Sequence, residues 1–165
     1  VDIKLLPAST SALIDANVFI YHLGGLSMDC SAFLRRVAVG EIEAYATTII
    51  IAETLHRRMQ GEAVAKGFIS PGNVLRKLKA NPQIIPHLTD YITDIQKILK
   101  LPLTIIEVTA ADITVSHALR NAYGLFVNDS INLACALRFG ISDLVTHDTD
   151  FARVPKMTVW DPTDI

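Results

Sequence analysis

Short apolar runs at the strand period alternate along this chain with longer stretches at the helical period. "SALID" (residues 11–15) reads as a buried strand closed by Asp15, and "VFIYHL" continues helically after Ala16-Asn17 until Gly24–Gly25 break it. In "MDCSAFLRRVAVG", Phe33, Leu34 and Val37 fall on one side of a helix that stops at Gly40. "EIEAYAT" alternates as a short strand. "TIIIAETLHRRMQG" follows as a helix, with Ile50, Ile51, Thr54 and Leu55 inward and Arg57–Arg58 near its carboxyl end, where cations are favoured.

Between residues 61 and 102 the pattern shortens. Pro71, Pro82, Pro86 and Pro102 separate small amphipathic pieces, which predicts two or three helices forming a hairpin or lid inserted in a single domain spanning 1–165. "LTIIEVT" returns to strand, and "ADITVSHALRNAYG" and "NDSINLACALRFG" are helices ending at Gly124 and Gly140. "SDLVT" and "MTVW" are the last two strands. Strands alternating with helices predict an α/β fold of three layers, α/β/α, around a mainly parallel central sheet of four or five strands. In such sheets ligands bind beyond the carboxyl ends of the strands.

Composition narrows the picture. Half of the 165 residues are hydrophobic and 19% are charged. A mean hydropathy of +0.35 is apolar for a soluble chain and predicts a generous core, with apolar area to spare for an oligomer surface. Apolar stretches such as "TTIIIAETL" meet a charge well before about 18 residues, so no membrane span is expected. The amino-terminal segment does not read as a signal peptide, and the widely spaced Cys30 and Cys135 have no ligand spacing, which together suggest a cytoplasmic protein. A net charge of −2 argues mildly against a polyanion partner, unless bound cations supply the missing positive charge.

Four acids change the reading. Asp15 closes the first strand, Glu53 lies on the helix after the second, Asp129 opens the last long helix, and Asp148 follows "DLVT". All are bracketed by apolar residues, and the parallel topology puts strand ends and strand-to-helix crossings on one edge. Converging buried carboxylates require cations or protons. Oxygen-only ligands suit Mg²⁺ or Mn²⁺, and such a site activates water against a phosphodiester. Each acid also has a plainer role: Asp15 as a helix cap, Glu53 as the i+4 partner of Arg57, Asp129 on the helix dipole, and Asp148 and Asp150 as shapers of their loop.

The motifs "LIDANVFIYHL", "TTIIIAETL" and "NDSINLACALRFGISDLVTHDTDF" resemble, in order and spacing, those of PIN-domain ribonucleases, particularly VapC-type toxins. The likeness covers Ser11–Gln60 and Leu103–Trp160, whereas 61–102 matches only as variable helical filler. It implies a PIN-like fold and a metal-dependent endoribonuclease. Asp15, Glu53, Asp129 and Asp148 would be the catalytic and Mg²⁺- or Mn²⁺-binding acids, with Asp150 an open further member. Asn17, Thr47 and Thr146 would orient them from behind. A small antitoxin protein, an RNA substrate and a homodimer follow as implied partners.

Other residues carry less. His147 has no Cys or second His nearby to make a zinc set. Arg153, just past the acidic loop, is the best candidate for RNA contact, and Tyr21 and Phe151 have core packing as the simpler role. A haloacid-dehalogenase phosphatase needs a second Asp two residues after the first, where this chain has Asn17, and the element order fails for a receiver domain. The rival that survives is a PIN-like binding module whose acids are structural.

Overall fold

The strand β1 (Ser11–Ile14) lies at the centre of a five-stranded sheet in the computed structural model, which describes residues 1–165. With β2 (Glu43–Thr47), β3 (Leu103–Ile106), β4 (Asp143–Val145) and β5 (Thr158–Trp160) the order is β3-β2-β1-β4-β5, and every neighbouring pair is parallel. Helices cover both faces, completing the three-layer α/β/α arrangement that the alternation predicts. Ala12, Leu13 and Ile14 are all buried, because a central parallel strand has no solvent face. They join Phe19, Phe33, Leu144 and Val145 in the main core.

Connectivity fixes where a ligand can enter. The chain steps outward from β1 to β2 and β3, then returns to place β4 on the other side of β1, with Ile14 opposite Val145. Between β1 and β4 the winding reverses, and the two following loops diverge to leave a crevice at their carboxyl ends.

The helices are α1 (Ala16–Leu23), α2 (Met28–Ala38), α3 (Thr48–Ala65), α4 (Val74–Ala80), α5 (Asp90–Leu99), α6 (Ala110–Tyr123) and α7 (Val127–Arg138). Their ends follow local chemistry. Thr109 and Asp112 form a reciprocal capping box at α6, and Gly124 ends that helix at φ 64°, a left-handed conformation that suits glycine. Helix α3 departs from the expected boundary. It runs through the exposed Gly61 to Ala65, because Glu62 and Ala63 beyond it are buried and offset the roughly 1 kcal/mol that glycine costs in a helix.

That extension organises residues 61–102. Ala63 packs with Ile69, Leu78 and Leu88 in a second, small apolar cluster. Glu62 accepts from the backbone N–H groups of Thr89 (2.8 Å) and Tyr91 (2.9 Å) and pairs with Lys66 at 2.6 Å. Burial alone would raise its pKa, but the Lys66 ammonium and those N–H groups outweigh it and hold the carboxyl at about 2. The segment is thus built as α4, a 3-10 turn over Pro82–His87, and α5, anchored on the far half of α3.

An ion pair between the exposed Arg138 and the buried Asp112 joins α6 to α7. Arg138 donates to Asp112 from Nε (2.8 Å) and Nη2 (2.9 Å), and the guanidinium holds that carboxyl at about 2. Arg138→Met leaves the Asp112 charge unpaired and is expected to cost about 2–4 kcal/mol at neutral pH. A depressed carboxyl contributes above its ordinary 3.8, and that contribution is lost as pH falls through about 2. Urea midpoints for the two proteins should differ at neutral pH and converge in strong acid; equal midpoints throughout would refute the assignment.

Candidate active site

At the reversal between β1 and β4, Asp15, Glu53, Asp129 and Asp148 line one pocket of about 330 Å³, with Asn17, Tyr21, Arg57 and His147 around them. Each acid reaches it by a different route. Asp15 is the residue after β1 and the cap of α1, its Oδ1 accepting from the Ala16 N–H at 2.7 Å. Capping and pocket placement coexist because the other oxygen, Oδ2, accepts from Asn17 Nδ2 and from Thr146 Oγ1, both at 2.7 Å.

Thr146, wholly buried just past β4, is the hub. Besides donating to Asp15, its hydroxyl accepts from Asn17 Nδ2 (2.9 Å) and from the Asp148 N–H (3.0 Å). The carboxyl ends of the two strands are thereby locked together. Asp148 then starts a 3-10 turn, with Oδ1 accepting from the Asp150 N–H at 2.8 Å.

The other two acids ride on helices. Glu53 lies one and a half turns into α3, half-buried, with Arg57 at 3.7 Å on its i+4 side. Asp129 sits in the first turn of α7 and makes no hydrogen bond or ion pair. Its helix is buried continuously from Ser130 to Ala136, so the carboxylate is fixed by its backbone alone.

The pocket is electrostatically unfavourable when all four acids are charged. Asp129 is pushed up to about 6, first by burial and then by the charges of Asp15, Asp148 and Glu53. Burial also raises Asp15; hydrogen bonds from Thr146 and Ala16 oppose this, and Glu53 and Asp148 add to it. A divalent cation would relieve both. No three acid, His or Cys side chains form a ready-made metal cage. The donor set is oxygen-only and open, which fits an ion of the Mg²⁺ type that keeps most of its waters and takes one or two carboxylates.

The profile of the PIN-domain family matches residues 12–157, which takes in β1 but for its first residue, all of β2, β3 and β4, and ends just before β5. The chain belongs to the PIN-domain family. Ribonuclease VapC2 of Methanocaldococcus jannaschii is 23% identical to this PIN domain over 157 residues, 94% of this chain and 97% of that one. The crystal structure of VapBC2 from Rickettsia felis, bound to a DNA fragment from their promoter, superposes with a TM-score of 0.59 at 18% identity, covering 93% of this chain and 99% of that one. A toxin–antitoxin complex from Klebsiella pneumoniae gives 0.55 at 21% identity, with the same coverages. The fold of this PIN domain thus resembles that of VapC-type toxins.

Three expectations shift within that frame. Thr47 does not touch the carboxylates. It caps α3 by accepting from the Ile50 N–H and donates to Asn132 Oδ1 at 2.6 Å, so it ties the helix of Glu53 to the helix of Asp129. Asp150 does not line the pocket and pairs with Arg153. Arg153 takes part in that pair and donates to the Asp150 carbonyl and to the Gly124 carbonyl, both at 3.2 Å. A Cβ at Gly124 would meet this guanidinium at 3.1 Å. Phe151 is a core residue.

Sequence reasoning missed two residues. Asn132 had a signal, a lone amide in the apolar run from Ile131 to Ala136. Asp161, which holds His147 Nδ1 at 2.8 Å beside the pocket, had none, because only the β4–β5 pairing brings it there. None of the residues lining the carboxylate pocket comes from the 61–102 segment.

Proposed function

We propose that this PIN domain is a divalent-metal-dependent endoribonuclease that hydrolyses RNA phosphodiester bonds, as the toxin of a toxin–antitoxin pair. The observation that carries the reading is the meeting of four carboxylates, from four separate elements, in one open pocket at the reversal of the sheet. The name of the Methanocaldococcus relative supports the activity, and the Klebsiella complex supports a protein partner.

Asp15, Asp129 and Asp148 would hold Mg²⁺ or Mn²⁺, with Glu53 across the pocket reaching it directly or through water. A bound ion supplies a nucleophilic water at neutral pH and stabilises charge developing on the phosphoryl oxygens. Asn17 and Thr146 keep Asp15 Oδ2 pointed into the pocket, and Asp148 is fixed by the two N–H bonds that frame it. Cleavage of single-stranded RNA in Mn²⁺, abolished by EDTA, tests the reading; intact RNA in every metal would leave a binding module. A homodimer belongs to the same reading and should run in light scattering at twice the 18.1 kDa chain mass.

The raised carboxyls give a metal test independent of activity. Metal binding requires ionised acids, so the ion must displace the proton that Asp129 holds below about 6. Mn²⁺ is therefore expected to raise the melting temperature by several degrees near pH 7.5, and the gain should fade as pH falls through about 6. A melting temperature indifferent to Mn²⁺ at the higher pH would refute the site.

A further inference from the structure

The carboxylate pocket is the first of three concavities that share lining residues along α3. A neighbouring cavity of about 630 Å³ shares Glu53 and Arg57 with it and continues to Gln60, and a third shares Gln60 and ends against Arg76 and Lys79 of α4. Glu53, His56, Arg57 and Gln60 recur at helical spacing, so one stripe of α3 forms the floor, about 10 Å long from Glu53 to Gln60. Beyond Glu53 the lining carries no acid in a chain with 17 of them. Arg76 and Lys79 are exposed and have no ion-pair or hydrogen-bond partner, whereas Arg36, Arg58, Lys66, Lys77, Lys97 and Arg138 all do.

We infer that this row of concavities is a backbone track for single-stranded RNA. Arg57, Gln60, Arg76 and Lys79 engage phosphates flanking the bond at the carboxylate pocket, and α4 is the part of the 61–102 segment that lengthens the site. The inference rests on the ribonuclease reading, which supplies the reason for a strand to end at the acids. RNA is favoured over an acidic peptide because only two of the seven residues lining the neighbouring cavity and two of the six lining the third are hydrophobic, while peptides dock through apolar anchors or an added strand. Free cations ahead of a metal site also remove the obstacle posed by a net charge of −2, since attraction is set by the local field.

The test uses the full chain and an Arg76→Glu/Lys79→Glu variant, both substitutions on the exposed side of α4. Fluorescein-labelled single-stranded RNAs of about 20 and about 4 nucleotides are titrated in EDTA, so that binding is read apart from cleavage. The longer RNA should bind the variant about tenfold more weakly, with a log–log salt slope shallower by about 1.4 for two lost phosphate contacts. The short RNA should bind both proteins alike. In Mn²⁺ the variant should show a raised KM on the longer RNA at unchanged kcat. Equal binding of the longer RNA by both proteins would overturn the track while wild-type cleavage still upheld the nuclease. Charge-sensitive binding without cleavage in any metal would uphold the track and sink the nuclease. A charge-reversal effect on poly-glutamate and not on RNA would overturn RNA as the occupant.

Discussion

Asp129→Asn is expected to abolish metal-dependent RNA cleavage, by at least about 10³-fold, and at the same time to make the metal-free protein more stable. The two effects have one cause. Asp129 is held at about 6 against an ordinary 3.8 by burial and by four neighbouring carboxylates, with no donor to compensate. A carboxyl raised in the folded state penalises folding above that pH, and the penalty disappears as pH falls towards the ordinary value. Removing the charge should therefore gain on the order of 1–2 kcal/mol at neutral pH and nothing near pH 4. Thermal melts at both pH values, alongside RNA cleavage in Mn²⁺, read the pair of effects. A variant that cleaves like wild type, or that is destabilised at neutral pH, would contradict the role assigned to Asp129. Asp15→Asn should lose activity equally, but without a comparable gain, since Asp15 also caps α1 and accepts three hydrogen bonds.

The second large effect falls on a residue without charge. Thr146→Val keeps the shape but removes the hydroxyl that joins Asp15, Asn17 and the Asp148 N–H. A buried N–H loses its partner, which costs about 1–3 kcal/mol. Asp15 and Asp148 lose their common tether, and activity should fall about 10–100-fold. Thr146→Ser, which restores the hydroxyl, separates the two consequences: it should recover most of the activity while retaining a small packing loss. Equal activity in the Val and Ser variants would mean that the hydroxyl does not position the acids.

Much of this was legible in the sequence because it is written locally. The apolar periods locate all five strands, and Asp15 and Asp148 announce themselves as carboxylates fixed by the buried strands before them. Glu53 and Asp129 follow once the parallel order is known, because helices packed on such a sheet bring their near ends to the same edge. What the sequence leaves open depends on partners chosen in three dimensions. Thr47 and Thr146 are both threonines at the ends of strands, yet one hydroxyl meets Asn132 and the other meets Asp15. Arg153 looked like a free cation because its pairing with Asp150 and Gly124 exists only after the loop has folded back onto the end of α6. The run of α3 past Gly61 is not legible locally, because the partners that bury Glu62 lie 27 and 29 positions away.

The pairing of Ile14 with Val145 has a bearing on synthesis. The site opens with Asp15 and closes with Asp148, so its contacts have nearly the largest sequence separation this chain allows, and such contacts form late. A nascent chain emerging amino-terminus first can build β1, β2 and their helices, but Asp15 has no Thr146 to aim it until 131 further residues have been translated. On the nuclease reading, a chain cut before β4 is therefore expected to be inert, because nothing then aims Asp15 and Asp148 is missing from the site.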